Sequence, residues 1–272
     1  MRKRVKEVSG MSNLLFDFCP NRTEAEVYMN RELDVTEFVK FIKKLKKDRP
    51  EITFFHGLVM LLGKTIYSRP KMNYYVQNRT LYKNDDVSIA FVAKEKFEDE
   101  SIELETVIKI GEKDTLLDIS DNIYKKVKGM RSHQESGVDG IVEKIGKSPK
   151  FIRCTVTTLV KWMDKHGILP GFLRDGNLYY SSAIVSNLGT FKTGAIYHHL
   201  TNFGTYSSLI TFGEIVEEDG RYYMELGATI DERVADGFYF VKALKLMEYI
   251  LDNPELLMEP AGKHVTIPEN KK

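Results

Sequence analysis

Helical spacing of apolar residues predicts most of the helices. Apolar side chains recur every three or four positions, as one face of a helix requires, in five stretches: 38–45, 58–66, 116–127, 150–165 and 237–251. Asp34 and Glu37 predict a capped start for the first helix, and Thr53 predicts the cap of the second. The fourth helix and its Trp162 are expected in the core, with Gly167 as C-terminal cap. The last helix is expected to bury one face, formed by Val241, Leu244, Met247, Ile250 and Leu251.

Alternation of apolar and polar side chains predicts the strands. They are expected in six runs: 72–77, 87–93, 102–110, 179–185, 208–216 and 221–230. Asp219 and Gly220, between the last two runs, are typical of a tight hairpin turn. Strands and helices mix without strict alternation, which predicts an α/β fold: a two-layer sandwich with a large mixed β-sheet packed by helices. We expect one domain over residues 1–272, with a loose tail at 259–272.

Composition and charge exclude several classes of function. The chain has 40 basic and 39 acidic residues, and a formal charge of +1 gives no overall field for sequence-independent nucleic-acid binding. Cys19 and Cys154 are too few for a zinc or disulfide framework. The adjacent His198 and His199 cannot present two metal ligands from one helix face. We therefore expect no metal and no nucleic-acid partner.

Hydropathy argues against a membrane protein. The most apolar stretch, 52–67, is interrupted by His56 and Lys64 and is too short to cross a bilayer. His56 is expected in the core. The basic start of the chain is not followed by the apolar segment of a signal peptide, so we expect a cytoplasmic protein without a membrane partner. The lysine run 40–47 is predicted to be a solvated helix face, and a patch for the phosphates of coenzyme A is the alternative.

Residues 231–237 carry a resemblance to a known family. They read Asp-Glu-Arg-Val-Ala-Asp-Gly between a strand and a helix. This is similar to the Asp-His-Arg-x-x-Asp/Asn-Gly signature of the catalytic domains of 2-oxo-acid dehydrogenase dihydrolipoyl acyltransferases, and to the His-x-x-x-Asp-Gly of chloramphenicol acetyltransferase. The Ser-Asn-Leu-Gly of 186–189 and the strand-to-helix step at 33–36 also resemble the family. The resemblance covers roughly 23–257, while 153–177 is longer than the family leads us to expect.

The resemblance implies a fold, an assembly and a chemistry. It implies a two-layer α/β sandwich, a homotrimer, and an active site between two subunits. Acyl-coenzyme A and a small-molecule acceptor would enter a channel from opposite ends, with no metal. The motif histidine would remove a proton from the acceptor thiol or hydroxyl, and a serine would hydrogen bond to the oxyanion. We expect no lipoyl domain, no subunit-binding domain and no covalent lipoyl group on this chain, so a lipoyl arm would come from a separate protein.

Carried over position by position, the resemblance assigns six residues. Ser186 falls at the oxyanion position, Asp236 at the structural carboxylate and Arg233 at the motif arginine. Asp231 and Gly237 fall at supporting positions of the motif. The sixth residue, which is Glu232, stands where the catalytic histidine belongs.

Glutamate in place of histidine changes the chemistry. A general base contributes on the order of 10²–10⁴-fold to the rate. A free glutamate side chain, with a pKa of about 4.3, is a weaker base than imidazole at about 6.5, although burial raises the pKa of a carboxyl group. His198 and His199 lie in the stretch that lines the channel in the family, so one of them is the alternative base.

Each candidate also has a structural interpretation. Glu232 can be a surface or salt-bridge residue left after catalysis was lost, and Ser186 can be a turn serine bonded to its own backbone. Asp236 is expected to cap the final helix or to pair with an arginine. Gly237 is expected to allow close helix packing.

Two hypotheses remain from the sequence. The first is a coenzyme A-dependent acyltransferase, slow because of Glu232, that moves an acyl group from a thioester to a thiol or hydroxyl. The second is a catalytically silent homologue that acts as a trimeric binding or assembly protein.

Overall fold

The computed structural model describes residues 3–94, 103–131 and 144–268. Its helices are α1 Gly10–Phe18, α2 Thr36–Leu45, α3 Phe54–Ser68, α4 Leu116–Arg131, α5 Lys150–His166, α6 Gly171–Arg174 and α7 Gly237–Asp252. Its strands are β1 Lys3–Arg4, β2 Glu26–Asp34, β3 Tyr74–Gln77, β4 Thr80–Lys83, β5 Val87–Lys94, β6 Glu103–Ile110, β7 Ala183–Asn187, β8 Ser208–Glu218 and β9 Arg221–Asp231. Ile102 of the third predicted strand and 269–272 of the predicted tail lie outside the described residues.

A six-stranded mixed sheet forms one layer. Its strand order is β2-β9-β8-β7-β5-β6. The pairs β5–β7 and β7–β8 are parallel and the other neighbours are antiparallel. The β8–β9 hairpin turns at Asp219 and Gly220, which both have positive φ. The predicted two-layer sandwich with a large mixed sheet is therefore confirmed.

Helices α2, α3, α4 and α7 form the second layer, and the main core lies between them and the sheet. α3 is apolar on nearly all sides and is buried from His56 to Ile66, as a central helix requires. Thr53 caps it by accepting a hydrogen bond from the amide of His56 at 3.3 Å, as predicted. α2 buries Phe38 and Ile42 and exposes its lysines, so the lysine run is a solvated face.

The other face of the sheet is partly covered by residues 188–206, here called the crossing segment. Leu200 and Tyr206 from this segment form a small second core with Ile184 of β7. Two glycines of the sheet allow the close approach: a Cβ at Gly213 would lie 2.9 Å from the amide nitrogen of Ala195, and one at Gly227 would lie 3.1 Å from the Ile196 carbonyl oxygen. The segment therefore lies against β8 and β9.

Three predicted element boundaries are wrong. Asp34 ends β2 and Val35 is the N-cap of α2, although the Asp34 carboxylate still accepts a hydrogen bond from the amide of Thr36 at 2.9 Å. A 3₁₀ turn occupies Pro70–Asn73 before β3. β7 starts at Ala183 because the preceding residues form turns. In these turns the Tyr179 carbonyl accepts a hydrogen bond from the Thr205 amide.

The apolar stripe of α5 is not in the core of this chain, contrary to the prediction. Trp162 and Leu159 are exposed, and the buried residue of α5 is Asp164. The Asp164 side chain accepts hydrogen bonds from Gln77, Tyr180 and the Gly204 amide, so a polar anchor attaches the helix. The C-terminal cap at Gly167 is as predicted.

Two further burial predictions need correction. Val241 of α7 is exposed, while Met247, Ile250 and Leu251 of the same face are buried. Part of the tail expected to be loose is attached to the body: the Ala261 amide donates to the Asp114 carbonyl at 2.8 Å, and the Val265 amide donates to the Ser68 hydroxyl at 3.1 Å. Within the described ranges, no helix has the length and apolar character needed to cross a membrane.

Candidate functional site

Asp231 is the buried centre of the motif. It ends β9 and is 0% exposed. Arg233 donates to both of its carboxylate oxygens, from Nε and from Nη2, each at 2.8 Å. Arg22 places its Nε 3.7 Å from Asp231 Oδ2 and is also buried. A bidentate, buried arrangement of this kind is strong and geometrically specific.

The two arginines connect Asp231 to distant parts of the chain. Arg233 Nη1 donates to the carbonyls of Cys19 and Pro20, at 3.1 and 2.9 Å. Arg22 donates to three carbonyls at the end of the crossing segment, among them Gly204 at 3.0 Å. Burial lowers the pKa of Arg22, and Asp231 opposes that shift. Asp231 and its arginines therefore join β9, the N-terminal region and the crossing segment.

Glu232 differs sharply from its two neighbours. Its side chain is exposed and makes no hydrogen bond or ion pair with the residues the structure describes. Its backbone amide donates to the Ala25 carbonyl at 3.0 Å, which extends the β2–β9 pairing by one position. The carboxylate can thus meet a ligand or another subunit, and no side chain among the described residues orients it.

Asp236 caps α7. Its carboxylate accepts a hydrogen bond from the amide of Tyr239 at 2.8 Å, as the structural interpretation of this residue predicted. Gly237 does not have the expected packing role within the chain, because a Cβ built there meets no atom within 4 Å. Asp236 therefore stabilises a helix start and is exposed to solvent.

Ser186 lies near the end of β7, on the sheet face that the crossing segment covers. It is half-buried and follows Ile184 of the second core by two positions, which places both side chains on one face. Its register partner on β8 is Thr211. The hydroxyls of Thr211 and Thr229 are buried without a hydrogen-bond partner among the described residues.

One chain does not bring Ser186 and Glu232 together. Ser186 pairs with Thr211, and Thr211 pairs with Gly227 on β9, two strand spacings from Ser186. Glu232 lies five positions further along β9. Strand spacings of about 4.8 Å and a rise of about 3.3 Å per residue place the two backbones roughly 20 Å apart. A site that uses both residues therefore needs a second copy of the chain.

The two histidines of the crossing segment are in different environments. Nε2 of His198 is buried without a hydrogen-bond partner among the described residues, whereas His199 is exposed. Burial, and secondarily the neighbouring His199, lowers the pKa of His198. Its imidazole is therefore neutral at neutral pH, as a general base requires.

Comparison with solved structures identifies the fold. The catalytic core of the 2-oxoacid dehydrogenase multienzyme complex from Thermoplasma acidophilum matches with a TM-score of 0.61 at 17% identity, over 93% of this chain and 99% of its own. Dihydrolipoamide acetyltransferase from Azotobacter vinelandii matches with 0.61 at 15% identity, over 93% of both chains. Chloramphenicol acetyltransferase matches with a TM-score of 0.52 at 14% sequence identity. The match covers 92% of this chain and 100% of that chain.

The chain has the acyltransferase-core fold. The resemblance found in the sequence is thus confirmed at the level of fold. The Azotobacter vinelandii enzyme has been studied for the role of one serine, one histidine and one asparagine in its catalytic mechanism. No protein-family model matches the sequence, and no curated protein matches it.

Other polar groups within the acyltransferase-core fold do not form a site. His56 is buried in α3, where its Nδ1 lies 2.8 Å from the Ser120 hydroxyl and burial lowers its pKa to about 4. A cavity of about 30 Å³ between α7 and the sheet has room for a water or two and is lined by apolar side chains and Ser208. The described ranges contain no group of three or more side chains suited to hold a metal.

Sequence reasoning missed three residues that the fold brings to the motif or to the face of Ser186. Arg22 lies in a polar N-terminal stretch without a periodic pattern, so no local signal pointed to Asp231 as its partner. Thr211 and Thr229 lie in strands that alternation had predicted. Their burial depends on the crossing segment, which has no regular pattern of its own.

Proposed function

We propose that the protein is a slow, coenzyme A-dependent acyltransferase that transfers an acyl group from a thioester to a thiol or hydroxyl acceptor. One observation carries the proposal. Ser186, Glu232 and Asp236 occur in the same chain order as the serine, histidine and asparagine of the Azotobacter vinelandii enzyme. Glu232 and Asp236 are four positions apart, as are the histidine and the asparagine, within a common fold.

The proposed active site lies between two copies in a homotrimer. The roughly 20 Å between Ser186 and Glu232 within one chain supports this arrangement, because two such distant groups cannot act on one small acyl group. Cores of dehydrogenase complexes among the structural neighbours are multimeric assemblies, which agrees with it. Glu232 of one copy would then lie near Ser186 of another.

The chemistry follows from the two side chains. The acceptor oxygen or sulfur attacks the thioester carbonyl carbon while the Glu232 carboxylate takes the acceptor's proton. Ser186 donates a hydrogen bond to the carbonyl oxygen as it becomes negative, which contributes on the order of 10²–10³-fold. When the tetrahedral intermediate collapses, the carbon–sulfur bond of the donor breaks. The proton held by Glu232 then passes to the leaving thiolate of coenzyme A.

Acyl-coenzyme A screening with detection of the released thiol tests the proposal. Glu232→Gln keeps the side-chain shape and removes the proton acceptor, so the rate is expected to fall by on the order of 10²-fold or more. Glu232→His is expected to raise the rate at neutral pH. If Glu232→Gln leaves transfer unchanged and His198→Gln abolishes it, the buried imidazole of His198 is the base instead.

The silent homologue is the second candidate, and one observation favours it. Asp231, Arg233 and Asp236 have structural roles in the folded chain, so their presence does not require catalysis. In that case the wild-type protein transfers no acyl group from any donor, whereas Glu232→His gains activity. The protein would then act as a trimeric binding or assembly protein, with a separate lipoyl-bearing protein as a candidate partner.

A further inference from the structure

Helix α5 carries an apolar strip that the described part of the chain leaves exposed. Four large side chains are exposed along it: Phe151 72%, Ile152 41%, Leu159 54% and Trp162 51%. At 100° per residue they fall within an arc of about 100° on the helix. On the opposite side of α5, Asp164 is buried and anchors the helix through Gln77 and the Gly204 amide, whereas Arg153, Thr157 and Lys161 are exposed.

The region around this strip is strongly basic. Residues 144–174 contain seven basic side chains and one acidic side chain, which is the buried Asp164. Their formal charge of +6 leaves −5 for the rest of a chain whose total is +1. On the helix, Lys165 borders the apolar arc, about 40° from its edge, whereas Lys161 and Lys150 lie about 80–100° from that edge, on the polar side. All three lysines are exposed. Ile168 and Phe172 add two exposed apolar side chains directly after α5.

We propose that α5, with the turn that follows it, is a docking surface for a membrane containing anionic lipids. This proposal replaces the expectation from hydropathy that no membrane is a partner. A helix with Lys and Arg on one face and Trp, Phe and Leu on another is the type that lies in the membrane interface without crossing it. Trp162 lies on the arc between Leu159 and Lys165, at the border of apolar and basic side chains, where interfacial tryptophans are found.

Charge disfavours the α5 of a second copy as the occupant. Two α5 surfaces facing each other would bring two sets of lysines together with no exposed carboxylate on α5 to pair with them. Anionic lipid headgroups supply negative charge to the lysines, and the acyl region beneath receives the apolar strip. Neither contact requires a site of specific shape.

Trp162 is the only tryptophan of the chain, so its fluorescence reports on this surface directly. The full-length protein is titrated with vesicles of phosphatidylcholine alone and with vesicles that contain about one-third phosphatidylglycerol. We expect a blue shift of emission and co-sedimentation with the anionic vesicles only. Both are expected to disappear at about 1 M salt, where the Debye length is about 3 Å.

A matched pair of variants tests the role of the helix. Each lysine near an anionic surface contributes roughly fivefold to binding, so K150Q/K161Q/K165Q is expected to weaken vesicle affinity by on the order of 100-fold. The control K40Q/K44Q/K47Q removes three charges from α2 and the turn after it. The apolar side of α2 is buried in the core, so this variant is expected to change affinity by less than about twofold. Leu159→Ser, which keeps Trp162, tests the apolar strip and is expected to reduce the blue shift.

Three results would overturn the proposal. The first is equal binding to neutral and anionic vesicles. The second is an equal loss of affinity in the α5 and α2 variants. The third is a blue shift that rises with protein concentration without vesicles and disappears, together with the oligomer, in Leu159→Ser; a second copy would then be the occupant of the strip.

Discussion

Replacing Arg233 by methionine tests whether the motif is retained for folding. The guanidinium makes two 2.8 Å hydrogen bonds to Asp231, and both side chains are almost fully buried. Removing one partner of a buried ion pair costs about 3–5 kcal/mol, because the other charge stays buried without compensation. Arg22, whose Nε lies 3.7 Å from Asp231 Oδ2, still compensates part of the Asp231 charge. The carbonyls of Cys19 and Pro20, however, lose their hydrogen-bond donor. We expect a loss of about 4 kcal/mol in the free energy of unfolding.

Thermal and urea unfolding measure this loss. For a chain of this size, about 4 kcal/mol corresponds to a decrease of roughly 8–15 °C in Tm. The control is Arg31→Met, because Arg31 makes a bond of the same length, 2.8 Å, to Glu248 at the protein surface. Solvent screens that pair, so its loss is expected to leave Tm almost unchanged. If the two variants have the same Tm, the buried pair of Arg233 and Asp231 does not stabilise the fold as argued.

This outcome bears on the function. If Asp231 and Arg233 are needed for folding, a catalytically silent protein needs them as much as an active enzyme does. Asp236, as a helix cap, belongs to the same group. The case for catalysis then depends on Ser186 and Glu232, which have no structural role of comparable strength in the single chain.

Three further predictions concern pH, the helix cap and assembly. His56 has a pKa of about 4 in the folded chain and 6.5 when exposed. As the pH falls, the unfolded chain therefore binds a proton at His56 at a higher pH than the folded chain does. Stability is complete above pH 6.5 and falls by about 3 kcal/mol as the pH drops toward 4; His56→Gln removes this part of the pH dependence in urea unfolding. Asp236→Ala is expected to cost about 1 kcal/mol, whereas Asp236→Asn, a good N-cap, restores most of it. Light scattering is expected to give a homotrimer, and coenzyme A is expected to raise Tm; a monomer, or no shift at millimolar ligand, contradicts the shared site.

Sequence pattern predicted those parts of the fold whose causes are local. The Thr53 cap, the α3 run and the Asp219-Gly220 turn depend on neighbouring residues, and the structure has each of them. The burial of Trp162 was predicted wrongly because helical periodicity reveals an apolar face but not what covers it.

The candidate site was predictable only in part. The motif at 231–237 was visible in the sequence, and so was the role of Asp236 as a cap. The pairing of Arg22 with Asp231 was not visible, because these residues are 209 positions apart and meet only through the tertiary fold.

The position of β2 has a consequence for how the chain is made. β2 lies at one edge of the main sheet and pairs with β9, with Met29 opposite Ala228, about 200 positions away. During synthesis, β2 leaves the ribosome long before its neighbour exists, and its backbone stays unpaired until β9 emerges. Such long-range pairing slows folding and leaves an open strand edge during that interval. The nascent chain thus depends on its last quarter to supply the pairing partner of β2, its first strand of the main sheet.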